Sequence, residues 1–490
     1  MRKSLTSIIL LATTSACTLA PTYKRPVAAV PAVLPDPTAG AEGERPAALS
    51  YRDVFRDEKL VALIDQALAN NQNLKAAYAN ARAARAQVSV TRSSLFPQID
   101  VSADVTKADS SNEIQVGGNA SVGARGRSTG GPIATFRTDA QASWEIDLFG
   151  RIQSLSNAAL NEYLATDAAR RGVRLSVVAG VANAYLTLAT DRSLLEVAKE
   201  TSAAAAKSVD LTRSLLEGGV AARTDLRQAE TVLAQAQSDQ ANLETLIEQD
   251  RNALQLLVGA PVPDALLPTS IEAVDTQIAE VPAGLDSSIL LRRPDVVQAE
   301  YTLRAANARI GAARAAFLPR IALTALGGFA STTLADLFVR GARTWSVAPS
   351  ATLPIFTGGA NVGNLRVSNA QRDQAVAQYQ TAIQTAFRDV SNALARRATI
   401  DEQYAASSKL DAAAQDSLTL ADARYRNGID PYLTLLDARR TAYGAARTLA
   451  QTRLLKAQNL VAIYQSLGGD ELIDATPGQN SQLAMRRAAN

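Results

Sequence analysis

Apolar positions along this chain recur with two different periods, and the switches between them mark out its elements. From Asp57 to about Ser94, Leu60, Ile64, Leu68, Leu74 and Tyr78 follow helical spacing, and Pro97 ends the helix. The period then falls to two. Ile99, Val101, Ala103 and Val105 alternate with Asp100, Ser102, Asp104 and Thr106. After a polar, glycine-rich loop, Phe136, Ala140, Ala142, Trp144, Ile146 and Leu148 alternate with Arg137, Asp139, Gln141, Ser143, Glu145 and Asp147. The pattern predicts a β-hairpin over 97–148 with one apolar and one strongly polar face. A sheet packed on a core would alternate in the same way. Strand length, Trp144 and the repeated charges favour a membrane barrel.

Helical spacing returns over 152–217, without proline and with only Gly172 and Gly180. One helix of that span is roughly 100 Å long at 1.5 Å per residue. Its uncharged run from Leu175 to Thr190 is too short for a transmembrane helix and contains Ser176, Asn183 and Thr187. Gly218-Gly219 closes it. A second helix covers 224–258, and a Pro-rich linker covers 261–284.

The second half repeats the first. Leu68–Ala103 aligns on Leu290–Ala325, Leu148-Phe149 on Ile355-Phe356, and Leu211–Gly259 on Leu420–Gly468. The first repeat is therefore 57–260 and the second 285–469. The second has a hairpin at 319–356, a long helix at 360–426 and a return helix at 431–468. Its strands carry Ile321, Leu323 and Ala325, then Trp345, Val347, Ala351, Leu353 and Ile355. Between the two helices, Asn427-Gly428 supplies a left-handed residue, Asp430 an N-cap and Pro431 the first helical position. The polar stretch 470–490 reads as a disordered tail.

Composition narrows the function. Lys+Arg number 50 against 47 Asp+Glu, so nothing points to nucleic acid. Aromatics are 5% where 47% of residues are apolar, an alanine-rich balance suited to long, closely packed helices. The chain has no histidine and one cysteine, which removes His-based catalysis and thiolate or imidazole metal sites. Gly117–Gly131 lacks the Gly-Lys-Ser/Thr ending of a phosphate loop. Neither an enzyme nor a cofactor is expected. Residues 1–16 read as a secretory signal, with Arg2 and Lys3 ahead of the apolar run Ile8–Ala12. The sole cysteine, Cys17, stands at the cleavage boundary and points to lipid attachment (palmitate among the acyl chains). Thr14 occupies the position where such signals usually carry Leu, and plain cleavage after Ala16 is the alternative. Residues 17–56, rich in Pro, Ala and Gly from Pro21 to Leu49, read as an extended tether.

Four strands cannot close a barrel, so membranous strands must be shared between chains. Several segments resemble the TolC-like outer-membrane efflux proteins, particularly their OprM/NodT lipoprotein branch. They are Cys17–Pro26, Trp144–Arg151, Leu290–Val296, Leu353–Gly359 and Gly428–Arg440. The resemblance implies an α+β membrane protein: a homotrimer with a shared twelve-stranded barrel continuous with a periplasmic helical barrel. It implies a bacterial outer-membrane location, a periplasmic adaptor and an inner-membrane RND-type pump as partners, and passive export of small molecules. It also implies site residues. Leu433 and Asp437, with Arg440 on the same helical face, would form the periplasmic gate. Tyr425, Arg426, Thr224 and Asp225 would latch the helix pairs together. Gly218, Gly219 and Gly428 would mark the tip turns where the adaptor docks. Two other readings stay open: a duct for ABC-driven protein secretion, and a lipid-anchored periplasmic coiled-coil scaffold without a barrel.

Overall fold

A computed structural model describes residues 18–28, 30, 31, 34, 50–108, 133–279 and 287–473. The signal segment 1–16, Cys17, most of the tether, the loop Gly117–Gly131 and all but the first residues of the 470–490 tail lie outside these. The main elements are α1 Glu58–Asn70, α2 Gln72–Ser93, β1 Gln98–Ala108, β2 Ile133–Ile146, α3 Arg151–Glu217 and α4 Arg223–Val258. They continue with α5 Pro294–Ala315, β3 Arg320–Ser331, β4 Arg343–Thr352, α6 Ala360–Arg426 and α7 Tyr432–Ser466. The chain divides into two compact units. One takes in 1–26, 82–164 and 300–377; the other takes in 27–81, 165–299 and 378–490.

The first unit is built on a four-stranded antiparallel sheet in the order β1-β2-β3-β4. Antiparallel partners put their side chains on the same face. Ile99 therefore shares a face with Ala142, Ala325 and Val347. Val105 opposite Phe136, Trp144 opposite Leu323 and Trp345 opposite Gly327 extend it. Asp100–Gln141, Ser102–Asp139 and Asp104–Arg137 occupy the reverse face. The apolar face is exposed on the outer strands, where Trp345 is 80% exposed and Ile99, Val101, Val105 and Val347 are exposed with it, while Phe136, Trp144 and Leu323 on the inner strands are half-buried. β1 and β4 each pair on one side only. Leu148, Leu353 and Ile355, expected on the strands, fall beyond their ends at Ile146 and Thr352. Leu148 donates to the Ile146 carbonyl in a tight turn, and Pro354 has no N–H to offer a ladder.

In the same unit, residues 18–26 of the expected extended tether are fastened down as a strap. Tyr23 and Arg25 both donate to Glu300 on α5, Arg25 through two bonds of 3.1 and 2.8 Å. The Glu300 side chain is 0% exposed. A buried carboxylate persists only when paired, and Arg304 completes the pairing. Asn307 and Arg314 hold the Pro21 and Leu19 carbonyls.

The core of the second unit gathers Leu63 and Ile64 from α1, Val178, Val181, Tyr185 and Leu186 from α3, Val258 from α4, and Val461 and Tyr464 from α7. The uncharged Leu175–Thr190 run is thus a core segment, and Tyr185 donates to Asp57 at 2.9 Å. Three expectations change here. The first helix is two, because Asn71 accepts from the Leu74 N–H and donates to the Leu257 carbonyl, capping a new start. The linker is packed: Val262, Leu267, Ile271, Val274 and Ile278 enter the core, and Ile278 bridges Phe55. The tail is ordered through 473, with Asp470 and Glu471 paired to Arg174 and the Ile473 N–H on the Arg292 carbonyl. Leu290–Val296 is scaffolding as well. Leu290 is fully buried, and Arg293 donates to the Ser466 carbonyl at 2.6 Å and to both Asp295 oxygens.

Candidate functional site

The two turns that join the paired long helices, α3–α4 and α6–α7, are built alike. Gly219 and Gly428 are left-handed, at φ +74° and +70°. The next N–H reaches back five residues, from Val220 to Leu215 and from Ile429 to Arg424, at 2.8 and 2.9 Å. This bond closes a helix C-terminus around a residue that lacks a side chain. A Cβ at either glycine would meet nothing within 4 Å, so the backbone angle alone selects glycine there. Gly218 has an ordinary backbone and only helps fill the turn.

Beyond Gly428 the expected cap is replaced. Pro431 takes the N-cap position without a side-chain bond. Asp430 turns back instead to Arg424, which donates to both carboxylate oxygens at 2.6 and 2.8 Å. A two-pronged charged pair is stronger than a single cap bond. The guanidinium holds the Asp430 carboxyl below its usual range.

Under the turn lies an apolar cluster of Val209, Leu226, Ala229, Ala421, Tyr425, Tyr432, Leu435 and Leu436. Tyr425 and Tyr432 meet edge to face, with ring centroids 5.4 Å apart. The Tyr425 and Thr212 hydroxyls lie 3.2 Å apart. Burial pushes the Tyr432 hydroxyl pKa up, opposed by the charges of Arg439 and Arg440. Leu433, Asp437 and Arg440 occupy the other side of α7. Leu433 is 61% exposed, and Asp437 and Arg440 are exposed in this chain. Among the described residues no ion pair engages Asp437.

The four expected latch residues do not assemble as a group. Tyr425 is buried against Thr212 and Tyr432, and Arg426 pairs with Asp422 at 2.7 Å, one turn back on its own helix. Thr224 is exposed and Asp225 half-buried, and no hydrogen bond or ion pair among the described residues joins either to Tyr425 or Arg426. The physical reason is reach: a long side chain takes the partner nearest along its helix when one is present. Sequence reading missed Arg439. Its guanidinium joins Asp422 on α6 and the Ala204 carbonyl on α3, both at 3.2 Å. Only the Asp422–Arg426 spacing of four was open to the sequence. Among the described residues no cluster of acids, Cys or His could hold a metal.

The family profile described as Outer membrane efflux protein matches residues 63–260 and 285–469. The chain belongs to the outer membrane efflux protein family. Its relatives include the toluene efflux pump outer membrane protein TtgC of Pseudomonas putida, 41% identical over 96% of each chain. The solvent efflux pump outer membrane protein SrpC, also of Pseudomonas putida, is 38% identical over 92% of this chain and 95% of that one. Among solved structures, the open-state MtrE outer membrane channel of Neisseria gonorrhoeae superposes with a TM-score of 0.81 at 35% identity, covering 94% of this chain and 100% of that one. These relatives are outer-membrane efflux proteins and not enzymes.

Proposed function

We propose that this outer membrane efflux protein is the exit duct of a tripartite pump. It passively exports small molecules that an RND-type inner-membrane pump delivers through a periplasmic adaptor. The observation that carries the reading is a sheet of four strands, 10 to 14 residues long, with one apolar face, exposed on its outer strands, and both edges unpaired. Strands of about 9–11 residues suffice to cross a bilayer core when tilted. An open edge in lipid leaves each backbone group unsatisfied at several kcal/mol, so the edges must pair with other copies. Three copies give twelve strands and a polar lumen lined by Asp100, Asp104, Arg137 and Glu145. Two repeats, 57–260 and 285–469, fit the recurring element order, and the helix pairs form the periplasmic tube. Lipid on Cys17 anchors the chain at the membrane.

Leu433, Asp437 and Arg440 act as the gate at the periplasmic end. Their exposure on one face of α7 leaves them free to line an axis between copies, where Leu433 rings would exclude water. The adaptor docks beside Gly218, Gly219 and Gly428. Purified protein should migrate as a heat-sensitive trimer, conduct ions in planar bilayers, and sensitise cells to toxic small molecules when deleted. A monomer without conductance would overturn the duct.

A further inference from the structure

We propose that Lys107 and Arg343 form a binding site for the phosphate headgroup of an anionic glycolipid in the outer leaflet of the membrane. The inference rests on the membrane reading of the sheet and names what its outer rim holds. Followed across the four strands by register, every residue on the apolar face is uncharged except Lys107 on β1 and Arg343 on β4. The reverse face mixes both signs, with Asp100, Asp104, Arg137 and Glu145. Both cations of the apolar face stand at the same end. β1 finishes at Ala108, one residue after Lys107, and β4 begins at Arg343. The long helices α3 and α6 start from the opposite end, after Ile146 and Thr352. With the helices in the periplasm, Lys107 and Arg343 lie at the outer leaflet.

Ile99 to Lys107 and Ala351 to Arg343 each span about 27 Å of strand, close to the height of the apolar band of such barrels. A cation on a lipid-facing strand is costly at the middle of a bilayer and costs little at its surface, so both sit where headgroups begin. Aromatic rings mark the same level. Phe329 lies opposite Arg343 on β3 and meets Phe338 of the hairpin loop edge to face, with centroids 5.4 Å apart. Lys107, Arg343 and Arg340 of the adjoining loop are exposed, and among the described residues no ion pair or side-chain hydrogen bond engages them. The acid of that loop, Asp336, accepts from the Thr333 hydroxyl at 2.5 Å. A guanidinium grips two phosphate oxygens at once, and an ammonium adds a point charge. The acyl chains of the same lipid lie below on Trp345 and Val347, both exposed. β1 and β4 are the edge strands, so copies joined edge to edge bring the Lys107 end of one beside the Arg343 end of another at each seam.

The test titrates the purified full-length protein with lipid A, a bisphosphorylated and acylated glucosamine disaccharide, and counts bound lipid by native mass spectrometry. Lys107→Gln combined with Arg343→Gln should cut lipid A retention several-fold at unchanged melting temperature and conductance. Arg343→Lys, which keeps the charge, should retain most of it. Equal retention by wild type and the double variant would overturn the site, as would equal losses in Arg343→Lys and Arg343→Gln, which would assign the effect to packing. Displacement of lipid A by excess inorganic phosphate would overturn the lipid as occupant. Should the double variant fail to assemble, Arg343→Gln alone carries the test by the same retention. A conducting trimer indifferent to these substitutions loses the lipid site and keeps the duct. A wild-type protein that neither forms a trimer nor conducts loses both.

Discussion

Gly219 and Gly428 stand 209 positions apart, each two residues past the end of a 67-residue helix and each left-handed. The side chains around them differ at nearly every equivalent position. Tyr432, Leu433, Asp437 and Arg439 in the second turn correspond to Arg223, Thr224, Gln228 and Glu230 in the first. Charge is inverted at three places: Asp422, Arg426 and Arg439 stand where the first has Arg213, Glu217 and Glu230. In the first turn the ion pairs stay within one helix, Asp210 with Arg213 and Arg227 with Glu230. In the second, Arg424–Asp430 crosses the turn and Arg439–Asp422 crosses between helices. A common backbone thus carries one turn that is locally satisfied and one that is bonded to its surroundings. Pairs within a helix move with it, whereas pairs between helices must break when the helices separate.

The contrast extends along the helices. Asp191 on α3 and Asp250 on α4 form a half-buried like-charge pair, and burial followed by the charge of Asp191 pushes Asp250 up to about 6. The neighbouring cations do not relieve them: Arg192 donates to the Pro268 carbonyl and Arg251 pairs with Asp264. At the equivalent positions α6 and α7 carry buried Ile400 and Asn459, which donates to the Ala393 carbonyl at 2.9 Å. The first helix pair tolerates a like-charge contact where the second has a neutral one.

Four substitutions, two of them matched by a counterpart in the first turn, test this contrast. The largest effect is expected at Tyr432, buried and in edge-to-face contact with Tyr425. Tyr432→Ala should destabilise the tip by about 3–5 kcal/mol, read by hydrogen exchange over 420–440. Arg223→Ala, its exposed counterpart, should stay within about 0.5 kcal/mol. Equal losses would mean that the two turns are equally fastened. Next, Asp437→Ala should increase channel conductance several-fold, while Gln228→Ala leaves it unchanged; a matching rise at Gln228 would assign the gate to both turns.

Asp250→Asn follows, with an effect that depends on pH. The carboxyl is raised in the folded state, so its contribution to stability is complete below about pH 4 and is lost as pH rises through about 6. The variant should melt higher than wild type at pH 7.5, and the gain should shrink as pH falls below about 6 and vanish below about pH 4. A gain independent of pH would show that Asp250 is not titrating against Asp191. The smallest effect belongs to Arg424→Ala, which removes an exposed pair. It should lower melting temperature slightly at low salt and not measurably at 0.5 M, since exposed pairs are screened. A loss that persists in high salt would make that pair structural.

The legible part of the tip was its backbone. Glycine where φ must be positive, proline at a helix start and four-residue charge spacings are local rules, and Gly219, Gly428 and Asp422–Arg426 obey them. Asp430 shows where local rules end: as a cap it had one available bond, but Arg424 six residues earlier offered two. The latch residues Tyr425, Arg426, Thr224 and Asp225 are not bonded to one another within one chain. Contacts between helices depend on rotation and axial offset, which a one-residue change in packing alters and no local pattern encodes. Arg439 could not be found in this way, because its acceptor on α3 is a backbone carbonyl that any residue at 204 would supply.

Periodicity alone set the strands, their two faces, the long helices and the turns between them, since these depend on neighbours within a few positions. Tertiary structure decided which segments that looked like connections were part of the core. Residues 262–278 read as a linker because proline and polar residues interrupt them, yet five apolar side chains fill space left between α1, α3, α4 and α7. Residues 18–26 read as part of a tether because the stretch from Pro21 on is rich in Pro, Ala and Gly, yet Glu300 holds them from α5. A partner nearly 280 residues away is invisible to any local rule, and burying its charge leaves the strap no loose alternative.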